Sequence, residues 1–152
     1  MTLGIGRDVV LAAISAWCFG IVYQCGRGTA LMAAVLSGAG WVASDVLSKV
    51  PHLAVLPVFA GALVVGGGAE LLAVVRREPV TLLVVPAIIP FVPGYEAYRS
   101  MVAFIQNEFV VGLERGLSAL LVATAIAVGL AVSSALARPL LRRLVSPAVR
   151  LR

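Results

Sequence analysis

The stretch PAIIPFVPGYEAYRSM, residues 86–101, decides how this chain is read. It lies inside an apolar segment, residues 80–106, that is long enough to cross a bilayer, yet it holds three prolines, a glycine and two opposite charges. Proline has no amide hydrogen. In a continuous helix Pro86, Pro90 and Pro93 would leave the carbonyls of Leu82, Pro86 and Ile89 without donors. Gly94 then permits a backbone turn that other residues resist. In lipid such a break survives only where protein or a water-filled cavity surrounds it, and broken helices lining a cavity are how many transporters build their binding sites. The functional centre is therefore expected here.

Composition sets the class. The 152 residues are 61% hydrophobic and 12% charged, with a mean hydropathy of +1.07, against about 45–50% apolar and about 25% charged in ordinary globular domains. This predicts an all-α integral membrane protein of one compact domain with short loops. The net charge of +5 does not indicate nucleic acid as a partner, because the basic residues sit between apolar runs and in the tail rather than in a patch interleaved with aromatics. Cys18 and Cys25 are about 10 Å of helical rise apart, too far for a disulfide. With no Cys-x-x-Cys and a single histidine, neither a metal nor another cofactor is expected. Arg7 precedes a short apolar run, but no small-x-small cleavage site follows, so a retained first span is expected.

Outward from the central stretch, the pattern predicts about five transmembrane helices at residues 9–23, 29–50, 53–75, 80–106 and 116–137, the fourth broken at the Pro/Gly motif, and a basic cytoplasmic tail at 138–152. The first is short for a bilayer, and residues 3–8 are available to extend it. Ala12, Ala16 and Gly20, then Ala30, Ala34 and Gly38, make smooth faces, and a tight turn falls at residues 25–28. Pro51 and His52 close the second span, and Gly66, Gly67 and Gly68 allow a hinge or close approach in the third. Residues 107–115 read as the longest loop. In the last span Ala119, Ala123, Ala127, Ala131 and Ala135 form a stripe expected to be a helix–helix seam. No internal duplication is visible. Five spans place Arg27, Arg76, Arg77, Arg138, Arg142, Arg143, Arg150 and Arg152 on one face, and Arg7, Lys49 and Arg115 on the other. Arginine and lysine mark the cytoplasmic side, which predicts the N-terminus out and the C-terminus in, in the cell membrane. A re-entrant fourth span would overturn that count.

Depth ranks the ionisable residues. Glu96 would lie near the bilayer centre, with Arg99 one turn further on the same face, and an unpaired charge there costs about 3 kcal/mol or more. Two readings stand side by side: a pair that receives the ammonium and carboxylate of a substrate, or a self-satisfied ion pair with Glu96 favoured by a half-helix N-terminus. Glu96 can also titrate and couple export to proton entry. Freed amides near Gly94 and Tyr95 suit a carboxylate, and the carbonyls of Pro86 and Ile89 suit a cation. Tyr95 and Tyr98 either wall the cavity or pack. Asp45 is a second candidate, with snorkelling to the interface as the plain alternative. Glu70 reads as a salt-bridge partner of Arg76 or Arg77. No His-Glu-x-x-His, paired aspartates or deep serine beside a base suggests an intramembrane enzyme.

The pattern formed by Pro86, Pro90, Pro93, Gly94, Ala97, Tyr98 and Met101 resembles the carboxy-terminal half of the threonine/serine exporter family. The first span and the region from Gly38 to Trp41 are similar to the same half, so the likeness covers nearly the whole chain. Families of this kind come as one fused chain or two subunits, and this chain looks like the small subunit of the split type. The resemblance implies a larger membrane subunit as partner, possible oligomerisation, and proton-motive-force-driven export of threonine and serine, or of dicarboxylates such as succinate. A scaffold role without its own pathway and a self-sufficient homo-oligomeric exporter are the alternatives. Two departures matter. Glu96 and Arg99 are not fixed parts of the family motif, which points to substrate specificity. Trp41 stands where the family's Gly-x-Gly region carries a histidine, which leaves the coupling residue open.

Overall fold

A computed structural model describes residues 2–49 and 55–145, with the side chains of residues 2–4, 138 and 140–145 left aside. The described residues form helices and no strand: α1 (Thr2–Val22), α2 (Arg27–Ser48), α3 (Leu56–Arg76), α4 (Thr81–Ile88), a 3₁₀ turn (Ile89–Phe91), α5 (Gly94–Ile105) and α6 (Phe109–Val145). Windows in α1, α2, α3 and α6 are long and apolar enough to cross a membrane, and α4 with α5, bent by 50° at the break, passes the same test as a pair, which gives four to five candidate spans. The protein is thus an all-α multi-pass membrane protein. Pro51, His52 and the tail from residue 146 lie outside the described residues.

The core is built from small side chains. Ala33, Ala62, Val65, Ala69, Ala73, Leu83, Ala87 and Phe91 lie at its centre, while Leu31, Val35, Leu71, Val75 and Leu120 point outward. Apolarity does not drive helices together in lipid, so close backbone approach does. The stripes Ala12–Ala16–Gly20 and Ala30–Ala34–Gly38 are buried at the antiparallel α1–α2 contact. Gly40 and Gly61 bring α2 and α3 into backbone contact, and a Cβ on Gly40 would lie 2.7 Å from Val65 and 3.1 Å from Phe91. Hydroxyls cross the same seams: Ser37 donates to the carbonyl of Ala12 at 3.4 Å and Ser44 to that of Pro57 at 2.7 Å.

Three expectations are corrected or narrowed. First, the alanine stripe of α6 is not the seam with α3. Ala123, Ala127, Ala131 and Ala135 are exposed, and Ile126, Gly129 and Ser133 are buried instead. At 3.6 residues per turn, a strict four-residue spacing drifts by about 40° per step, so the three-position stripes of α1 and α2 stay within about 80° while the five positions of α6 spread over about 160°. Second, of the two roles open to the glycine triplet, α3 continues through it as one unbroken helix. Gly66 abuts Ser133 and Leu130 of α6 and Gly68 abuts Leu36 of α2, so the triplet serves close approach rather than a hinge. Third, α6 begins at Phe109 and takes up most of the expected loop, while α1 begins at Thr2, ahead of residue 9.

The ends of α1, α3 and α5 follow one device. Gln24, Arg77 and Asn107 are left-handed, with φ of 55°, 55° and 62°. The next amide in each case reaches back five residues, from Cys25 to Gly20, Glu78 to Ala73 and Glu108 to Ala103. These are Schellman closures without glycine. The turn expected at residues 25–28 therefore closes at Gln24.

The direction of α6 bears on the path of residues 81–105. Gly129 meets Phe59 and Ala62, and Ser133 meets Gly66. The numbering rises together, so α6 runs parallel to α3. Between them α4 and α5 must carry the chain back from the end of α3 to the level of its start, which a re-entrant loop would not do.

Gly40→Val is expected to destabilise the fold by about 1–3 kcal/mol through overpacking, whereas Gly67→Ala, whose Cβ meets nothing within 4 Å, is neutral. Thermal midpoints from gel filtration of heated, detergent-solubilised protein distinguish the two.

Candidate functional site

Proline chemistry shapes the break, and neighbouring groups repair part of it. Pro86 is buried within α4. Its missing amide strips the carbonyl of Leu82 of a helical donor, and the Cys25 thiol donates to that oxygen at 3.6 Å. The carbonyl of Ile89, stripped by Pro93, accepts the Val92 amide at 3.1 Å by tightening into a 3₁₀ turn. The Ile89 carbonyl thus holds one hydrogen bond where the sequence left it with none. Val92 (φ −64°, ψ 129°) and Pro93 (φ −77°, ψ 49°) make the corner. Gly94 is the first residue of α5 and has no positive φ. Its amide is not free either, since it donates to the Val92 carbonyl at 2.8 Å. Phe91 pins the corner to the bundle, its ring 5.4 Å from that of Trp41 and set against Gly40 and Gly61.

A cavity lies on each side of the corner. One, of about 310 Å³, is lined by Asp8, Leu11, Ala12, Ser15, Trp41 and Pro90. The other, of about 580 Å³, runs between α5 and the first half of α6, past Val92, Pro93, Gly94, Ala97, Met101 and Leu117. Its lining is almost wholly apolar, and the hydroxyl of Ser100 is already committed to the Gly112 carbonyl at 2.7 Å.

The charged residues pair differently from expectation. Glu96 does not pair with Arg99. It accepts from Arg115 of α6, at 2.9 and 3.2 Å to its two oxygens. Arg99 turns outward and caps Tyr95, 3.3 Å from its hydroxyl and 5.8 Å from the ring centre. Tyr95, Tyr98 and Arg99 are exposed and line neither cavity described. Asp45 pairs with Lys49 one turn on, at 3.4 Å. Arg76 pairs with Glu78 at 3.6 Å, and Thr29 donates to the same carboxylate at 2.7 Å, which joins the start of α2 to the end of α3. Glu70 is buried in α3. Of the expected site residues, Pro90 faces one cavity and Pro93 and Gly94 the other. Arg115, Asp8, Ser15 and Glu78 were missed. The signal for Arg115 existed, a lone cation opposite a lone deep carboxylate, but its position in an apparent loop hid it.

These features define a polytopic helical membrane protein whose broken fourth span separates two cavities. A family model described as Threonine/Serine exporter, ThrE, matches residues 8–136. The chain belongs to the threonine/serine exporter family. No curated protein and no solved structure matches it.

Two measurements check the α5–α6 geometry. A Cβ on Gly116 would lie 3.8 Å from that of Ser100, inside the range of about 3.5–4.5 Å for disulfides. In a Cys18→Ser, Cys25→Ser background, Ser100→Cys with Gly116→Cys is expected to crosslink in membranes under mild oxidant. Glu96→Gln or Arg115→Gln is expected to lower that yield severalfold, and the swap Glu96→Arg with Arg115→Glu to restore most of it.

Proposed function

We propose that this chain is a membrane subunit of a secondary exporter for small amino acids, threonine and serine, or related organic acids, driven by the proton-motive force and working with a larger subunit of the same family. Membership of an exporter family supports transport. The observation that carries the placement of the pathway is the corner at residues 92–93, with a cavity on either side. Backbone broken at membrane depth is tolerated where it lines a cavity, and half-helix ends at such points meet substrates in transporters. Pro90, Pro93 and Gly94 are the proposed pathway residues. Glu96 acts through Arg115, which ties α5 to α6 beside the larger cavity, and not as a free carboxylate awaiting a substrate. The arginine distribution supports the N-terminus outside and the C-terminus inside the cell membrane.

One observation favours a second reading. The larger cavity offers almost no polar group to a zwitterion, as expected if this chain were a scaffold whose apolar flank meets other membrane components.

Efflux of labelled threonine, serine and succinate from cells expressing this chain with a larger subunit of its family, and with either chain omitted, tests the proposal. Export that requires both chains is the expected result. Export from this chain alone would make it self-sufficient, and export unaffected by its omission, or no export of any of the three, would overturn the proposal.

A further inference from the structure

The smaller cavity carries a carboxylate that nothing so far has used. Asp8, Leu11, Ala12 and Ser15 fall on one face of α1 at helical spacing, and Trp41 of α2 and Pro90 of the broken span close the cavity opposite them. Asp45, Glu78 and Glu96 each hold a neighbouring cation. Asp8 forms no hydrogen bond or ion pair among the described residues. Asp8 lies about 9 Å from the start of α1 and Trp41 about 10 Å from the end of α2. Those two helices are antiparallel, so both residues stand at one depth, on the side where α3 begins. At about 310 Å³ the cavity is roughly ten times the ~30 Å³ share of one water; it is open on one side, with Asp8 and Leu11 exposed there, and has room for a small solute.

Its chemistry is that of a cation site. A carboxylate supplies full negative charge, Ser15 a hydroxyl that can accept, and an indole attracts an ammonium over its face. No arginine or lysine lines the cavity to receive a carboxylate. An ionisable side chain within a membrane span faces a cavity or partner and marks a solute path by default. Convergent polar groups in an otherwise apolar pocket are what a small-molecule site requires.

We propose that Asp8, Ser15 and Trp41, against Pro90 of the break, form the subsite for the ammonium group of a small zwitterion, a site that rests on the export reading for the solute's identity but not for its charge. Asp8 makes the ion pair, Trp41 walls the ammonium, and Ser15 fixes its orientation. The carboxylate end of the solute points away from Asp8.

Trp41 is its own reporter. In a Trp17→Phe background, whose remaining tryptophan is Trp41, fluorescence of the purified chain in nanodiscs, with and without its larger subunit, is titrated with threonine, threonine amide and N-acetylthreonine. Threonine and its amide are expected to give a saturable change, and N-acetylthreonine, which lacks the ammonium, none. Asp8→Asn should weaken both amines by about tenfold or more, the loss expected for one charged hydrogen bond. Asp8→Glu should recover most of it, and Ser15→Ala should have a smaller effect. Saturable amine binding that Asp8→Asn leaves unchanged, equal binding of N-acetylthreonine, or no amine signal from protein that elutes as folded would each overturn the site. The titration reads binding alone. Failed efflux with intact amine binding would defeat the export reading and not the site; active efflux with no amine signal would do the reverse.

Discussion

Close approach between helix backbones is the constraint on which the rest of this molecule depends. Lipid offers no hydrophobic gain for helix association, so α1, α2 and α3 meet through alanines and glycines, and large side chains face outward. The distance between backbones is then short enough for Ser37 and Ser44 to reach carbonyls on the neighbouring helix. The same close packing at Gly40 and Gly61 leaves a slot that the Phe91 ring fills, and this fixes the break to the bundle. Had either glycine carried a side chain, the ring would have lost its place and the corner its anchor.

The broken span shows how a membrane protein tolerates three prolines. The cost is spread over unlike donors: a thiol for Leu82 and a 3₁₀ amide for Ile89. A thiol is a weak donor, and the Leu82 carbonyl stands in the first turn of α4, beside the turn between α1 and α2. Backbone polarity at the break is therefore lower than a count of prolines suggests, and specificity falls to side chains brought in by other helices. Asp8, Ser15 and Trp41 come from α1 and α2, and the Arg115 that holds Glu96 comes from α6.

Local chemistry was legible in the sequence and distant pairing was not. The stripes of α1 and α2, the break at residues 86–94 and the membrane class followed from periodicity, proline and hydropathy. Glu96 was found by depth, but its partner was sought one turn away because sequence shows only neighbours on one helix. Arg115 lies across a turn in what looked like a loop. The turn residues misled in the same way. Glycines at 26 and 28 drew attention, whereas Gln24, Arg77 and Asn107 take the left-handed positions. The alanine stripe of α6 failed because a repeat of four drifts off a 3.6-residue helix over five positions, which the three-position stripes of α1 and α2 are too short to show. Asp8 looked like helix-end filler until the fold set Trp41 and Pro90 opposite it.

The length of α6 ties the two cavities to the far face of the protein. Its 37 residues make a rod of about 55 Å. The first half carries α5 and one wall of the larger cavity; the second half lies along α3 from Gly129 onward. With Gly129 as fulcrum, the Phe109 end stands about 30 Å away, so tilting the rod by about 5° sweeps that end through about 2–3 Å. The smaller cavity, held by α1, α2 and the Phe91 anchor, stays put under the same motion. One helix thus joins the α5 side of the break to the α3 side, so that the position of α5 and how α6 rests on α3 are mechanically dependent on each other.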